Sequence, residues 1–142
     1  MSFEFLRRVP TPQEHRLLAE SVGWHDAFAW EALPASLSAS VAGVVVLHEG
    51  QPIGMGRVVG DGAFYFYVQD VVVCPERQGI GIGTVIVESL IEQVEQIAPP
   101  KSFIGLFAAG GAAALYERHG FAARSGMTGM FRVVQQAAVP AG

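Results

Sequence analysis

The stretch RQGIGIGT, residues 77 to 84, lies between the apolar run VVVCPE and a long amphipathic segment. Three glycines at alternate positions, Gly79, Gly81 and Gly83, allow the backbone to approach a ligand closely. The segment that follows, VIVESLIEQVEQI, has apolar residues at helical spacing and predicts a helix from about residue 82 to 96. Backbone N–H groups at the start of such a helix attract phosphate. The stretch therefore predicts a strand, a phosphate-binding loop and a helix.

Two common phosphate-binding loops do not fit these glycines. A P-loop needs a lysine before its final Ser or Thr, but Thr84 directly follows Gly83 and no lysine is near. A dinucleotide loop needs a third glycine where this chain has Thr84 or, in the next register, Ile86. That loop also follows the first strand of a parallel unit, whereas this one follows consecutive antiparallel strands. A third pattern remains, Gln78-x-x-Gly81-x-Gly83.

Those antiparallel strands are predicted from two tight turns. Glu49-Gly50 separates the β-branched runs SVAGVVVLHEG and QPIGMGRVV, which indicates a hairpin. The sequence GDG at residues 60–62 forms a second turn and leads into AFYFYVQDVVV. Three consecutive antiparallel strands therefore precede the glycine-rich loop.

The remaining segments complete a mixed sheet. FEFLRR predicts a strand, and TPQEHRLLAESVG predicts a helix with Thr11 and Glu14 forming a capping box. WHDAFAWEAL predicts a short helix that ends at Pro34; KSFIGLFA predicts a strand, GGAAALYERHG a helix, and FAARSGMTGMFRVV a final strand or hairpin. The order is β-α-α-β-β-β-α-β-α-β, an α/β (α+β) fold with helices on both faces of the sheet. We expect a single domain, residues 1–142, with a flexible tail at 135–142.

Composition excludes several classes of function. The 142 residues are 51% hydrophobic and carry a formal net charge of −4, which gives no support for nucleic-acid binding. No signal peptide and no run of about 20 apolar residues is visible, so no membrane span is expected. The single cysteine, Cys74, fits a reducing, cytoplasmic location. No metal is expected, because His15 and His48 have no metal-ligand spacing with other residues. The apolar surplus suggests a subunit interface, as in a homodimer.

The segment VQDVVVCPERQGIGIGTVIVESLI resembles the acetyl-CoA-binding segment of the GNAT superfamily of N-acetyltransferases, whose signature is Arg/Gln-x-x-Gly-x-Gly/Ala. The later LYERHGF is also similar to small bacterial members, and together the similar stretches cover roughly half of the chain. The resemblance implies a GNAT-like mixed, mostly antiparallel central sheet. It also implies that two strands splay apart at the cofactor site.

The same resemblance implies a binding site for acetyl-CoA. A bulge near Val71 and Val72 would separate QDVVV from FIGLF, and the pantetheine arm would pair with main-chain groups of Val71 and Val73. A backbone N–H at the bulge could stabilise the oxyanion of the reaction. The implied cofactor-binding residues are Val71, Val72, Val73, Gln78, Gly79, Ile80, Gly81, Ile82, Gly83 and Thr84.

Three residues are implied to be catalytic. Tyr116 matches the family tyrosine that protonates the departing thiolate, and a phenol with a pKa of about 10 is protonated at neutral pH. Tyr67 and Gln69 occupy the places where general bases occur in relatives, but neither is a good base, so they would act through a held water. Asp70 lies on the other face of an ideal strand, although the bulge could change its face, and it is expected to be structural.

The acceptor side is less defined. Trp24, His25 and Trp30 could form an aromatic wall, with His25 as a base, although such tryptophans are commonly part of the core. Tyr65 shares a face with Tyr67 by strand alternation and is included with the substrate-binding residues. An acetylated Cys74 intermediate is not expected, because direct transfer is the family rule.

One position departs from the family pattern. Many relatives have an asparagine about seven residues before the tyrosine, where this chain has Ala109. The leading prediction is nevertheless an N-acetyltransferase that moves acetyl from acetyl-CoA to a primary amine. Tyr116 favours this activity, while the lack of a carboxylate base leaves open a non-catalytic acyl-CoA-binding or partner-binding module on the same fold. A small amine, a polyamine, an aminoglycoside and a peptide N-terminus all remain possible acceptors.

Overall fold

The computed structural model describes residues 2–135 of the chain. The described residues form five strands: β1 Glu4–Leu6, β2 Ala42–His48, β3 Gln51–Gly60, β4 Tyr65–Val73 and β5 Phe103–Gly105. They also form four α-helices: α1 Pro12–Ser21, α2 Leu33–Ser38, α3 Ile82–Glu95 and α4 Ala113–Glu117. Short 3-10 turns occur at Trp30–Ala32 and Pro75–Arg77.

The strands form one sheet in the order β1-β2-β3-β4-β5. Neighbouring strands run antiparallel except β4 and β5, which are parallel and pair over only three residues, Tyr65–Tyr67 with Phe103–Gly105. The mixed, mostly antiparallel sheet is therefore confirmed.

The two turns between β2, β3 and β4 form as the sequence predicts. Glu49 and Gly50 have φ values of 50° and 77°, the left-handed pair that suits a two-residue hairpin. In the second turn the Asp61 carboxylate accepts hydrogen bonds from the backbone N–H groups of Ala63, Phe64 and Tyr65. Local backbone and side-chain geometry thus closes both turns between the three antiparallel strands.

Helices cover both faces of the sheet, as predicted. On one face α3 lies directly over β3, where Gly54 and Gly56 leave room for Ile86: a Cβ at Gly56 would lie 2.8 Å from Ile86 Cγ2. On the other face Leu18 of α1 packs with Met55 and Val72 in a smaller apolar cluster. The α3 face holds the larger core, so most of the apolar residues are buried on that side of the sheet.

The first helix also forms as predicted. Its N-cap is Thr11, whose hydroxyl accepts from the backbone N–H of Glu14, while the Glu14 carboxylate accepts from the backbone N–H of Thr11. The buried residues of α1, His15, Leu18 and Ala19, recur at helical spacing and face the sheet.

Two predicted elements are wrong. Pro34 does not end a helix over residues 24–33; it lies in the first turn of α2, where its missing N–H needs no helical partner. Residues 121–135 contain no strand or helix, because the edge that they would extend, β5, is only three residues long. The predicted tail at 135–142 lies outside the described residues apart from Gln135.

The core position of Phe66 makes a stability prediction. Phe66 is fully buried against the α3 face, whereas its neighbour Phe64 is partly exposed. We expect Phe66→Ala to lower the free energy of unfolding by about 3–5 kcal/mol, because the ring leaves a large cavity. Urea unfolding followed by circular dichroism measures the change, with Phe64→Ala as the control. Equal losses in the two variants would contradict the assignment of Phe66 to the core.

Candidate functional site

A cavity of about 520 Å³ lies where the end of β4, the glycine-rich loop, the start of α3 and helix α4 meet. Eight of the ten residues predicted to bind the cofactor line it: Val71, Val73, Gln78, Gly79, Gly81, Ile82, Gly83 and Thr84. Tyr116, the predicted general acid, lines the same cavity. The structure therefore brings together two segments that are more than thirty residues apart in the chain.

The other two predicted cofactor residues do not line the cavity. Val72 is buried on the opposite face of the sheet with Leu18 and Met55, because successive side chains of a strand alternate between faces. Ile80 is exposed to solvent at the outside of the loop. Their side chains are therefore placed away from any ligand in the cavity.

The shape of the loop depends on two glycines and one amide. Gly79 and Gly81 have φ values of 81° and 90°, in the left-handed region that favours glycine. Gly83 lies inside α3, and a Cβ there would lie 3.6 Å from Leu115 Cδ2. Nε2 of Gln78 donates to the Val73 carbonyl oxygen at 2.9 Å and so fastens the loop to β4.

The electrostatics of the cavity favour an anion. Gly81 is the N-cap of α3 and has no side chain to accept from the first backbone N–H groups of the helix. Arg77 and Arg118 also line the cavity. Sequence reasoning missed both arginines, although Arg77 directly precedes Gln78 and Arg118 lies within the LYERHGF motif. A phosphate group would find partial and full positive charges here.

Tyr116, the predicted general acid, is buried at the wall of the cavity. Its side chain is almost fully buried, and its ring packs edge-on against Phe121 with centroids 6.1 Å apart. Burial raises the pKa of the Tyr116 phenol above its usual value. The hydroxyl is therefore protonated at neutral pH, as a general acid must be.

The gap between β4 and β5 opens beside this cavity. The pairing of the two strands ends at Tyr67 and Gly105, whereas β4 continues to Val73. A bulge lies in the part of β4 that extends beyond β5 and pairs only with β3. Met55 of β3 pairs with Val72 and Arg57 with Gln69, so β4 has one extra residue there. The bulge falls at Asp70 and Val71, one residue earlier than predicted.

Tyr67 and Gln69, the other predicted catalytic residues, do not line the cavity with Tyr116. Their strand neighbours Phe66 and Val68 are buried on the α3 face, which turns Tyr67 and Gln69 toward the α1 face. The Tyr67 ring packs against Phe103, with centroids 5.6 Å apart.

The predicted acceptor residues fall into two aromatic groups. Trp24 and Trp30 both contact Phe28 beside α1, and the Trp30 indole N–H donates to the backbone oxygen of the exposed His25. Tyr65 belongs to the other group, where its ring lies 6.2 Å from that of Phe103. None of the four lines the cavity.

Beneath the bulge lies a set of polar side chains, which we call the buried polar cluster: His15, Arg57 and Asp70. Sequence reasoning expected Asp70 to be structural but missed its two partners. Oδ2 of Asp70 accepts from Arg57 Nε at 2.9 Å and from His15 Nε2 at 3.0 Å. The bulge turns Asp70 onto the α1 face, which an ideal strand would not do. An isolated acid in the valine-rich run VQDVVV was the available signal, but its partners are distant in sequence.

The cluster also predicts how stability depends on pH. Burial alone would raise the pKa of Asp70, but hydrogen bonds from His15 and Arg57 and the charge of Arg57 bring it below the usual value. The unfolded chain therefore takes up the proton first as pH falls, and stability is lost below about pH 4. We expect the free energy of unfolding to fall on acidification less steeply in Asp70→Asn than in the wild type. Parallel slopes in urea unfolding from pH 6 to 3 would contradict this.

Cys74 is half-buried after the end of β4. Burial and the neighbouring Glu76 raise the pKa of its thiol, which disfavours the nucleophilic thiolate. Within residues 2–135, no helix is long and apolar enough to cross a membrane. No group of three or more His, Cys, Asp or Glu residues in this range is arranged to hold a metal ion.

Comparisons with known proteins agree on one family. A family model described as "Acetyltransferase (GNAT) domain" matches residues 40–123. Serotonin N-acetyltransferase 2, chloroplastic, from Oryza sativa subsp. japonica is 34% identical over 113 residues, which cover 80% of this chain and 50% of that protein. A crystal structure from meticillin-resistant Staphylococcus aureus, of a protein of unknown function described as a probable acetyltransferase, matches with a TM-score of 0.85 and 25% identity. That match covers 94% of this chain and 100% of the other.

The curated relatives are longer than the part that they share with this chain. The chain spans 45% to 50% of the length of the first three of them, including an uncharacterized N-acetyltransferase ycf52 from Pyropia yezoensis. The single-domain organisation and the cytoplasmic location therefore stay predictions.

Proposed function

Because the chain belongs to the GNAT family of acetyltransferases, we propose that it transfers an acetyl group from acetyl-CoA directly to a primary amine. The observation that carries this proposal is the shared cavity of the glycine-rich loop and Tyr116. Binding and proton transfer would then take place at one site.

The residues present fit a CoA pyrophosphate. Gly79 and Gly81 expose the backbone of the loop, the start of α3 supplies free N–H groups, and Arg77 and Arg118 add positive charge. Beyond the loop, the part of β4 that β5 leaves unpaired has room for an extended chain to pair as a strand would. These features support a ligand that combines phosphates with an extended amide-containing arm.

Acetyl-CoA supplies an acyl group on a thiol that can leave. The chain's own contributions are binding and proton transfer. The loop and α3 would hold the inert phosphate end, which fixes the reacting end near Tyr116. The Tyr116 hydroxyl would then give its proton to the departing sulfur. Tyr67 and Gln69, on the other face of β4, would orient a water that takes a proton from the attacking amine.

We propose an aromatic amine as the acceptor. On the α1 face, the half-exposed Tyr65 packs with Phe103, which also contacts Tyr67, and Tyr67 is the last residue of β4 that pairs with β5 before the gap. Such a surface can stack on an aromatic ring while leaving an amine free to reach the gap. The relative named as a serotonin N-acetyltransferase supports testing indole amines first.

Calorimetry with CoA and a thiol-release assay test the proposal together. The assay would use acetyl-CoA with serotonin, tryptamine, a polyamine, an aminoglycoside and a peptide N-terminus. We expect CoA binding and faster thiol release with the indole amines than with the aliphatic ones. CoA binding without turnover on any amine would favour a non-catalytic acyl-CoA-binding module, and no CoA binding would exclude the proposal.

We further propose that the chain forms a homodimer through residues 127–134. Residues 127–134 carry several strongly exposed apolar side chains, among them Phe131, which is 78% exposed. An apolar stretch of this kind is commonly covered by a partner. We expect light scattering to give twice the mass of one chain, and Phe131→Asp to give the monomer. The control is Leu17→Asp, an exposed apolar position on α1; a monomeric wild type would contradict the proposal.

A further inference from the structure

The backbone at the bulge of β4 is in a conformation that needs support. Asp70 has a φ of 55°, in the left-handed region that is costly for residues other than glycine, although aspartate and asparagine tolerate it better than most. Together with Val71 it lies opposite a single residue of β3, Gly56. An unsupported bulge of this kind could relax toward a regular strand, which would shift the residues after it by one position.

The buried polar cluster supplies that support. Arg57 and His15 both donate to the same oxygen of Asp70, so the side chain is held from β3 and from α1. The Arg57 guanidinium is itself held in place, because it also donates to the backbone oxygen of Ser36 and to the hydroxyls of Ser36 and Ser40. The three side chains of the cluster are almost completely buried, so water competes little for these bonds.

The bulge lies directly before the part of β4 that lines the cavity. Val71 and Val73 face the cavity, while Asp70 faces α1, so a single peptide bond separates the held residue from the first cavity residue. Residues 71–73 also follow the point where β5 leaves β4. The direction of their main-chain groups is therefore set by the bulge rather than by a neighbouring strand on that side.

We propose that the buried polar cluster positions the main chain of Val71–Val73 for the cofactor. Asp70 is thus a positioning residue, which acts through the main chain of Val71–Val73, and not the general base. This inference rests on the proposed binding of CoA. The hydrogen bonds that Oδ2 of Asp70 accepts from His15 and Arg57 hold the pKa of this carboxyl below its usual value, and a carboxylate of lowered pKa is a weak base.

Asp70→Gly and Asp70→Asn distinguish the two roles. Glycine accepts a φ of 55° without strain but removes the carboxylate, so the bulge loses its support. Asparagine tolerates the same φ and keeps an oxygen that can accept from Arg57 and His15. Both changes remove a base, but only the first removes the hold on the bulge. The matched control is Glu49→Gly, since Glu49 is an acidic residue with a φ of 50° in the exposed β2–β3 turn.

We would measure CoA affinity by calorimetry and amide hydrogen exchange at Val71–Val73 without ligand. Asp70→Gly should weaken CoA binding about tenfold or more and speed exchange at these amides, while exchange in β2 is unchanged. Asp70→Asn and Glu49→Gly should both stay close to the wild type. If both Asp70 variants lose turnover equally while affinity and exchange are unaltered, Asp70 is a reacting group and the inference is wrong.

A second pair of variants covers the case in which Asp70→Gly does not fold. His15→Leu removes one donor at similar volume, and His15→Gln restores an N–H that can reach Asp70. We expect faster exchange at Val71–Val73 in the leucine variant and recovery in the glutamine variant. Equal exchange in both would overturn the inference. The exchange result decides this point even if the wild type does not bind CoA, in which case only the proposed function fails.

Discussion

Replacing Tyr116 with phenylalanine is expected to lower kcat by about 10²- to 10⁴-fold, the range that a positioned general acid contributes. The ring would keep its place against Phe121, so the change removes one oxygen from the cavity and little packing. CoA affinity should therefore be unchanged. Because burial raises the pKa of the phenol, the wild-type tyrosine should not limit the rate through ionisation below about pH 10.

Steady-state kinetics with the best acceptor from the amine panel, together with calorimetry on CoA, measure the effect. The matched control is Glu117→Gln, the next residue of α4, which is exposed and does not line the cavity. It should retain wild-type kcat. A Tyr116→Phe enzyme that turns over as fast as the control would remove Tyr116 from the chemistry, even if CoA still binds.

Gly83→Val is expected to weaken CoA binding by about 100-fold or more, which corresponds to the loss of one or two hydrogen bonds to a charged group. The valine side chain would project into the cavity at the start of α3, where the phosphates are expected. A Cβ at this position makes only ordinary contact with Leu115 and Val73. Valine also favours a helix more than glycine does, so the fold should be kept.

Calorimetry and thermal unfolding of the same protein separate binding from folding. Gly83→Ala should give an intermediate loss of affinity, because a methyl group fills less of the cavity. The control is Gly110→Val, at an exposed glycine with open space around it and no left-handed φ. Wild-type affinity in Gly83→Val, with an unchanged Tm, would place the phosphates somewhere else.

The sequence predicted those parts of the fold that depend on nearby residues. The capping box of Thr11 and Glu14, the Glu49-Gly50 turn and the start of α3 are all decided within a few positions, and each forms as expected. The prediction for Pro34 is wrong because a proline can either end one helix or lie in the first turn of the next, and only the surrounding packing decides which. The strand predicted within residues 121–134 does not form for a related reason. Such a strand would have to pair with β5, which is only three residues long.

The residues of the site also divide into those that a local pattern predicts and those that only distant contacts bring together. The loop and Tyr116 were found because each lies in a short pattern of its own. The buried polar cluster was not, because His15 and Asp70 are separated by 55 positions and meet only through the bulge. That bulge also reverses the face that strict strand alternation assigns to Asp70, so alternation alone does not place Asp70 beside α1.

The short pairing between β4 and β5 has a consequence for the order of folding. The hairpins that join β2, β3 and β4 bring together residues close in sequence, whereas Tyr65 meets Phe103 only after the intervening chain has closed a long loop. The three antiparallel strands β2, β3 and β4 should therefore assemble early. Strand β5 should dock late, held by three residue pairs. The cavity forms only when this late step brings α4 against α3. A ligand bound there would thus slow unfolding more than it speeds folding, because its contacts are absent from the transition state.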